Sequence, residues 1–216
     1  MTTCALVAAS DFNADHFKVL NDAGGFDYVV AVDAGFAYLE KLGVKPDLAI
    51  GDFDSLGYVP KARRVSKHPQ HKDQSDLELA LERVSTRRYS HVHVYGALGG
   101  RLDHTLANLQ LFASYAEQGF DITAIDMDCA LRVLVGPDAF DLPPFKSGTV
   151  SVFSATDVSH GVSERGLEYP LDDADLTNRT SLGLSNELIG QEAAVSVAEG
   201  TLYVFYPLVD SAAVSE

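Results

Sequence analysis

Short apolar runs alternate with helical patterns over the first two thirds of the chain. Residues 4–9, 28–33, 47–51 and 91–96 form continuous apolar runs, which are typical of strands buried on both faces of a parallel sheet. Between the last two, Leu77, Ala80, Leu81 and Val84 recur at the spacing of one helix face. The alternation predicts an α/β N-terminal domain with a mostly parallel, Rossmann-like sheet over residues 1–138.

The pattern changes in the last third of the chain. Residues 149–155, 193–198 and 201–206 are short runs of alternating polarity, and no long helical period follows Gln118. The last two runs are joined by a Glu199-Gly200 turn. We therefore predict an all-β sandwich C-terminal domain over residues 139–216.

Charge and composition restrict the partners. The 216 residues carry a formal net charge of −15, which repels nucleic acid and anionic membrane surfaces. No apolar run approaches the roughly 20 residues that a membrane-spanning helix needs. The two cysteines, Cys4 and Cys129, have no CxxC spacing, which favours a reducing, cytoplasmic location and no cysteine-based metal site.

Four aspartates follow predicted strands or open a predicted helix. Asp33, Asp52 and Asp54 come at strand ends, and Asp76 opens the helix that begins near Leu77. Each alone is typical of a cap or turn. Together they would repel one another unless a cation lay among them, and an Asp-x-Asp pair suits Mg²⁺ bound to a nucleotide. The four aspartates are therefore candidates for a metal site.

A glycine-rich loop connects a predicted strand to a predicted helix. Residues 96–104 read GALGGRLDH. Glycines at such a turn let the backbone approach a phosphate, and Arg101 offers a planar fork for phosphate oxygens. The loop is neither GxGxxG nor GxxxxGK[ST], so dinucleotide and Walker interpretations fail. The alternative is a plain turn in which Arg101 and Asp103 form a surface ion pair.

Several ordered blocks resemble the thiamine pyrophosphokinase family. Residues 46–55 read PDLAIGDFDS, residues 72–80 read KDQSDLELA, and the glycine-rich loop matches a third block. In the second domain, GLEYPL at 166–171 and SNE at 185–187 match a fourth, and Asp33-Ala34-Gly35 matches the family's DxG. The resemblance spans about residues 28–206.

The resemblance implies transfer of pyrophosphate from ATP to the hydroxyethyl group of thiamine, which gives thiamine diphosphate and AMP. It implies Mg²⁺ as cofactor, with Asp52, Asp54 and Asp76 as its ligands, and a homodimer whose active sites are shared between subunits. The implied catalytic residues are Asp52, Asp54, Asp76 and Arg101. The implied ATP-binding residues are Asp33, Gly35, Lys72, Asp73, Gly99, Gly100, Arg101, Asp103 and His104.

Thiamine-binding residues are expected in the second domain. Ser185 and Asn186 are candidates to hydrogen-bond the aminopyrimidine, although they could equally be a turn pair. The chain has no Trp, so Tyr203 is the candidate stacking face, with an ordinary outward aromatic as the alternative. Tyr169-Pro170 is interpreted as a packed strand end.

Three other functions stay open on the residues alone. A pyrophosphokinase of the same architecture could act on another hydroxymethyl heterocycle such as a pterin. A DxD metal-dependent nucleotide-sugar transferase would use Asp52 and Asp54 but leave the glycine-rich loop unexplained. A thiamine-binding or structural dimer would leave the acidic cluster without a catalytic role.

Overall fold

The computed structural model describes residues 2–69, 73–87, 89, 91–143 and 145–208. The chain divides into two compact units. The first comprises the residues up to Leu111 together with Phe120–Met127, and the second comprises Phe112–Gly119 and the residues from Asp128 onward. Within the described residues, no helix has the length and apolar character needed to cross a membrane.

The first unit is a parallel sheet with helices along its connections. Its strands are β1 (Thr3–Val7), β2 (Tyr28–Val32), β3 (Leu48–Gly51), β4 (Val65–Lys67), β5 (His91–Tyr95) and β6 (Asp121–Ile125). The helices that begin in it are α1 (Ala14–Asp22), α2 (Gly35–Lys41), α3 (Asp76–Ser85) and α4 (Leu102–Glu117). The strand order is β6-β5-β1-β2-β3-β4, and every neighbouring pair is parallel.

The order of the strands reverses beside β1. The chain runs from β1 outward through β2, β3 and β4, then returns to place β5 on the other side of β1. In a parallel α/β sheet, the connections that leave two such neighbouring strands part to opposite faces and open a crevice at their carboxyl ends. The topology therefore predicts where a ligand would bind.

Helix α3 forms for reasons that are readable in the sequence. Ser75 is its N-cap, and the Ser75 hydroxyl accepts a hydrogen bond from the Glu78 backbone N–H at 3.1 Å. The face with helical spacing, from Leu77 to Val84, is buried as predicted. This cap fixes the start of the helix and so the position of Asp76, its first residue.

The second unit contains two antiparallel sheets. Its strands are β7 (Cys129–Val135), β8 (Asp138–Asp141), β9 (Gly148–Ser154), β10 (Val158–Arg165), β11 (Leu171–Thr177), β12 (Asn186–Leu188), β13 (Ala194–Val197) and β14 (Thr201–Pro207). The sheet orders are β12-β9-β14-β7 and β11-β10-β13-β8. Val152 and Val204 from one sheet share a core with Val162 and Val195 from the other. The predicted classes, α/β and then all-β, are confirmed at this level.

Candidate active site

A cavity of about 460 Å³, here called cavity I, opens at the carboxyl ends of β1, β2 and β5. This is the place where the strand order reverses. Residues after β1 form one wall and the glycine-rich loop after β5 forms another, with the start of α3 opposite. The residues that line it are Ala8, Ala9, Ser10, Asp11, Val32, Asp33, Tyr38, Ser75, Asp76, Leu77, Gly96, Ala97, Gly99, Gly100, Arg101, His104 and Asn108.

Two carboxylates that line cavity I, those of Asp33 and Asp76, belong to a cluster of three. Asp33, Asp52 and Asp76 each offer an oxygen, and these oxygens all lie within 4.8 Å of one another. Asp33 Oδ1 is buried and has no hydrogen-bond partner within the described residues. Burial raises the pKa of Asp33 and the negative charges of Asp76 and Asp52 raise it further, while backbone N–H groups of Ala34 and Phe53 lower it. A cation among the three would relieve both the burial and the repulsion.

The backbone around this cluster is held in an uncommon conformation. Asp33 and Phe53 are not glycines, yet their φ angles are 48° and 61°. The Asp33 N–H donates to the Ile50 carbonyl at 2.8 Å, and this bond ties the end of β2 to the end of β3. Left-handed conformations of non-glycine residues concentrate at functional sites, where the surrounding structure enforces them.

Asp54, the fourth aspartate singled out in the sequence, is not one of the three clustered carboxylates. Its side chain is exposed, and Oδ1 accepts a hydrogen bond from the Ser55 hydroxyl at 3.1 Å. The Asp54 N–H donates to Asp52 Oδ1 at 3.0 Å, so the pair forms a tight turn after β3. The structure thus groups Asp33 with Asp52 and Asp76, and the role of Asp54 stays a prediction.

The glycine-rich loop packs closely against the loop after β1. Gly99 and Gly100 have φ angles of 74° and 61°, and a side chain on Gly99 would overlap the Asp11 carboxylate. A Cβ on Gly100 would lie 2.7 Å from the Ser10 hydroxyl oxygen. That hydroxyl is buried and has no partner in the part of the chain that the structure describes. Glycines here leave backbone and hydroxyl groups free to approach a phosphate.

Arg101 stands at the rim of cavity I in a two-point ion pair. Its Nε donates to Asp103 Oδ1 at 3.1 Å and its Nη2 donates to Asp103 Oδ2 at 2.6 Å. The Arg101 hydrogen bonds, with help from the His104 N–H, lower the pKa of Asp103 to about 2. His104, in the first turn of α4, also lines the cavity. The pair is the alternative that the sequence left open, but it leaves other guanidinium donors for a ligand.

The other predicted ATP-binding residues have less defined surroundings. Gly35 is the buried first residue of α2, directly after the Asp33-Ala34 turn. Asp73 is exposed shortly before α3. Neither is among the lining residues of cavity I. Lys72 lies outside the described residues.

The second unit contains its own cavity, here called cavity II, of about 290 Å³. Ser185 lines it with a φ of 58°, and the Ser185 N–H donates to the Ser151 hydroxyl at 3.0 Å. The lining residues are Glu164, Tyr169, Leu171, Ser181, Leu182, Gly183, Leu184, Ser185 and Asn186. Two of the three predicted thiamine-binding residues therefore meet at one cavity.

Asn186 is buried and its side chain is fully engaged by the protein. Its Oδ1 accepts from the N–H groups of Tyr169 and Glu187 at 3.0 and 2.9 Å. Its Nδ2 donates to Glu164 Oε2 at 2.7 Å and to the Tyr169 carbonyl at 2.8 Å. A primary amide offers two donors and two acceptor positions, so no capacity is left over. Through these hydrogen bonds Asn186 connects Glu164 and Tyr169, two residues that line cavity II.

The sequence singled out Tyr169 and Tyr203 in this unit, and only Tyr169 lines cavity II. Tyr169 lines cavity II and is 63% exposed, so its interpretation as a packed strand end is wrong. Tyr203 lies on β14, outside the lining residues. Burial, and then the charge of Glu117, raises the pKa of Tyr203 to about 12. Its predicted contact with thiamine stays a prediction.

Sequence reasoning missed several cavity residues. Ser10 and Asp11 follow the first predicted strand, so the strand-end rule that identified Asp33 would have found them. Tyr38 and Asn108 lie on helices that approach cavity I only in the folded sheet. Glu164 carries no local signal, because a lone Glu in an alternating strand is expected to face solvent.

Comparison with family models identifies the class of protein to which the chain belongs. Residues 22–124 match the family model for the thiamin pyrophosphokinase catalytic domain, and residues 140–202 match the one for the thiamin pyrophosphokinase vitamin B1 binding domain. The chain is therefore a transferase with a catalytic part and a vitamin-binding part.

Individual relatives give the family. The thiamine pyrophosphokinase of Bacillus subtilis (strain 168) is 30% identical over 181 residues, covering 80% of this chain and 84% of that protein. The crystal structure of thiamine pyrophosphokinase from Bacillus subtilis matches with a TM-score of 0.80 at 26% identity, covering 95% of this chain and 99% of that one. The one from Geobacillus thermodenitrificans matches with a TM-score of 0.79 at 26% identity, covering 97% and 99%. The chain belongs to the thiamine pyrophosphokinase family, and the activity predicted from its motifs is confirmed.

Family membership disfavours the three alternative functions that the sequence left open. A pterin-directed pyrophosphokinase is disfavoured because the second unit matches the vitamin B1 binding domain. A nucleotide-sugar transferase and a non-enzymatic dimer are disfavoured because the first unit matches the catalytic domain of the same family.

Proposed function

We propose that cavity I binds ATP with Mg²⁺ and that cavity II receives thiamine, to which the chain transfers the β- and γ-phosphates of ATP. One observation carries the proposal. Three carboxylates lie within 4.8 Å of one another, and Asp33 Oδ1 among them is buried without a hydrogen-bond partner in the residues that the structure describes. Two of the three, Asp33 and Asp76, line a cavity together with the glycine-rich loop. Such a combination suits a metal-bound triphosphate.

The donor set fits Mg²⁺. Hard carboxylate oxygens are the ligands this ion takes, and it usually keeps water and substrate phosphates as the others. Asp33, Asp52 and Asp76 would hold it, with Asp54 as the further predicted ligand beside Asp52. When bound, the ion offsets the charge of the triphosphate and stabilises the charge that develops during transfer.

The chain's own groups supply the phosphate contacts. The backbone at Gly99 and Gly100 and the Ser10 hydroxyl face a common space. Arg101 would direct its remaining donors to phosphate oxygens while Asp103 fixes its orientation. We extend the ATP site to the other predicted residues: Gly35, Lys72, Asp73 and His104.

The reaction requires mainly that the thiamine hydroxyl and the β-phosphorus of ATP are correctly positioned. The thiamine hydroxyl oxygen forms a bond to the β-phosphorus while the bond from that phosphorus to the α–β bridging oxygen breaks, so AMP leaves. In-line placement and charge stabilisation account for most of such a rate enhancement. A net charge of −15 favours the approach of the cationic thiazolium.

We place thiamine at cavity II because it lies in the part of the chain that matches the vitamin B1 binding domain. Ser185 presents its hydroxyl there, Asn186 orders the wall, and Tyr169 offers an exposed aromatic face. Tyr203, at the edge of the matched region, stays the second candidate for stacking.

We further propose a homodimer with shared active sites. Leu102 and Leu106 on α4 are 82% and 58% exposed, and their spacing of four residues places them on one face of the helix, which offers an apolar surface to a partner. Mixing Asp52→Asn subunits with Asn186→Ala subunits tests this. Each variant alone is expected to be weak, and exchanged mixtures should regain activity in sites built from unaltered halves. Mixtures that exchange subunits but show only the sum of the parents would contradict shared sites.

Regarding finer architecture, we interpret the parallel sheet as Rossmann-like because of its strand-order reversal. We interpret the two antiparallel sheets as a sandwich because they share one core.

The deciding experiment is a product analysis. Purified protein with ATP, Mg²⁺ and thiamine is expected to form AMP and thiamine diphosphate in equal amounts. Asp52→Asn serves as the inactive control. Formation of ADP, or a preference for a pterin alcohol or a sugar nucleotide, would overturn the proposal.

A further inference from the structure

Cavity II contains one fully buried carboxylate, and the proposed reaction has no role for it. Glu164 is the second-last residue of β10 and is 0% exposed, yet it lines the cavity. Its Oε2 accepts a hydrogen bond from Asn186 Nδ2 at 2.7 Å. Its Oε1 has no hydrogen-bond partner among the residues that the structure describes.

The free oxygen lies beside the cavity wall. A Cβ placed on Gly183, another lining residue, would come 3.4 Å from Glu164 Oε1. Among the described residues Glu164 has no ion-pair partner, and burial raises its pKa while the Asn186 hydrogen bond lowers it. A buried acceptor without a donor destabilises a fold. A ligand that donates to Oε1 would offset that cost.

Asn186 fixes the direction of this carboxylate. Since all four hydrogen-bonding positions of Asn186 are used, it cannot turn to serve Oε1 without losing a bond to Tyr169 or Glu187. The rest of the cavity offers the apolar side chains of Leu171, Leu182 and Leu184. Apolar walls with one fixed acceptor suit a flat heterocycle that carries a single amino group.

We infer that Glu164 determines specificity for thiamine, because its Oε1 accepts a hydrogen bond from the exocyclic amino group of the aminopyrimidine ring. Asn186 is the positioning residue that holds the acceptor in place. This inference rests on the proposed function, since it takes thiamine to bind at cavity II.

The role predicts a preference between two close analogues. Oxythiamine carries an oxo group where thiamine carries the amino group, so it would bring an acceptor against an acceptor. A hydrogen bond to a charged group corresponds to about 10- to 100-fold in affinity. We expect the unaltered protein to prefer thiamine over oxythiamine by at least about 10-fold.

Glu164→Gln reverses the polarity of the group that faces the cavity. Asn186 Nδ2 donates to the side chain at position 164, so the new amide should keep its oxygen toward Asn186 and turn its NH₂ to the cavity. We expect kcat/KM for thiamine to fall and kcat/KM for oxythiamine to rise, which shifts their ratio by at least about 100-fold. The KM for ATP should not change. Glu168→Gln, an exposed neighbour outside the cavity lining, is the matched control.

A folded Glu164→Gln protein whose thiamine-to-oxythiamine ratio stays within about twofold of the parent would overturn the inference. If the variant does not fold, calorimetric binding of the two compounds to the unaltered protein decides, and equal affinities overturn it. The binding measurement also separates the two claims. Absence of AMP formation contradicts the proposed reaction, whereas the preference between the analogues tests Glu164 alone.

Discussion

The two cavities use carboxylates in opposite ways. Cavity I is lined by Asp33 and Asp76, which with Asp52 form a cluster of half-buried aspartates whose oxygens lie within 4.8 Å of one another. Cavity II holds one fully buried glutamate clamped by an amide. Clustered carboxylates create a strong local field that suits a multivalent cation with its phosphates. A single buried carboxylate creates a directional acceptor that suits one donor on a ligand.

The pKa shifts follow the same contrast. Burial is the largest cause of the raised pKa for both Asp33 and Glu164. At Asp33 the neighbouring carboxylates of Asp76 and Asp52 add to the rise. At Glu164 the Asn186 amide opposes it. A positive charge would therefore lower the repulsion at cavity I, whereas a hydrogen-bond donor would satisfy the buried carboxylate at cavity II. For this reason we expect different ligands in the two cavities.

The largest expected effect comes from removing charge at cavity I. Asp52→Asn or Asp76→Asn should lower kcat at least ~100-fold, because charge stabilisation of the transferring phosphates is lost. Asp54→Asn is expected to have the same effect if Asp54 also holds the ion. Steady-state kinetics over a Mg²⁺ titration measures this.

Asp22→Asn is the matched control and should leave kcat unchanged, because Asp22 is an exposed aspartate that pairs with Lys18 across one helix turn and does not line cavity I. Folded Asp52→Asn or Asp76→Asn protein with near-normal turnover would show that the cluster is not the metal site. If only Asp54→Asn keeps its turnover, the metal site is confined to the three clustered residues.

The next effect concerns the rim of cavity I. Arg101→Lys should raise the KM for ATP by about tenfold, because a lysine cannot reproduce a planar two-point contact. Arg63→Lys is the matched control, since Arg63 forms an exposed pair with Asp47 at 2.8 Å but does not line the cavity. Equal KM values for ATP in both variants would show that Arg101 forms only a surface ion pair and does not bind phosphate.

A smaller effect is expected at cavity II. Tyr169→Ala removes an exposed aromatic face and should weaken thiamine binding by about 2- to 30-fold, corresponding to about 0.5–2 kcal/mol of cation–π attraction. Tyr203→Ala in the same binding assay tests the tyrosine chosen from the sequence. A loss for Tyr203→Ala with none for Tyr169→Ala would move the stacking face away from cavity II. ATP affinity should be unchanged in both.

The smallest effect is on stability and depends on pH. A carboxyl group whose pKa is raised in the folded state stabilises the fold below its ordinary pKa, and this stabilisation is lost as the pH rises through the raised value. Burial raises the pKa of Glu164. Glu164→Gln should therefore match the parent's Tm at pH 4 and exceed it at pH 8 by about 2–4 °C, taking about 1 kcal/mol for the unpaired buried acceptor. A Tm difference that does not vary with pH would mean that Glu164 does not titrate in this range.

Much of cavity I could be read from the sequence. Asp33 and Asp52 end apolar runs, and Ser75 with Glu78 marks the start of α3 and so the place of Asp76. These signals are local, because strand ends and helix caps are set by neighbouring residues. Neighbouring residues did not determine which of these carboxylates come together in the folded chain. Asp54 follows the same strand as Asp52, but it is not one of the three carboxylates whose oxygens lie within 4.8 Å of one another.

Cavity II depended far more on the tertiary structure. The sequence by itself determined the two fold classes, the family and the strand-end positions, because apolar periodicity and ordered motifs are written in short stretches of chain. Only the tertiary structure decided that Glu164 is buried and that Asn186, 22 residues away in the chain, donates a hydrogen bond to it. Burial and hydrogen-bond partners arise where distant strands pack together. No local pattern specifies them, so the sequence did not predict a buried carboxylate at Glu164, where three consecutive residues of β10 are buried.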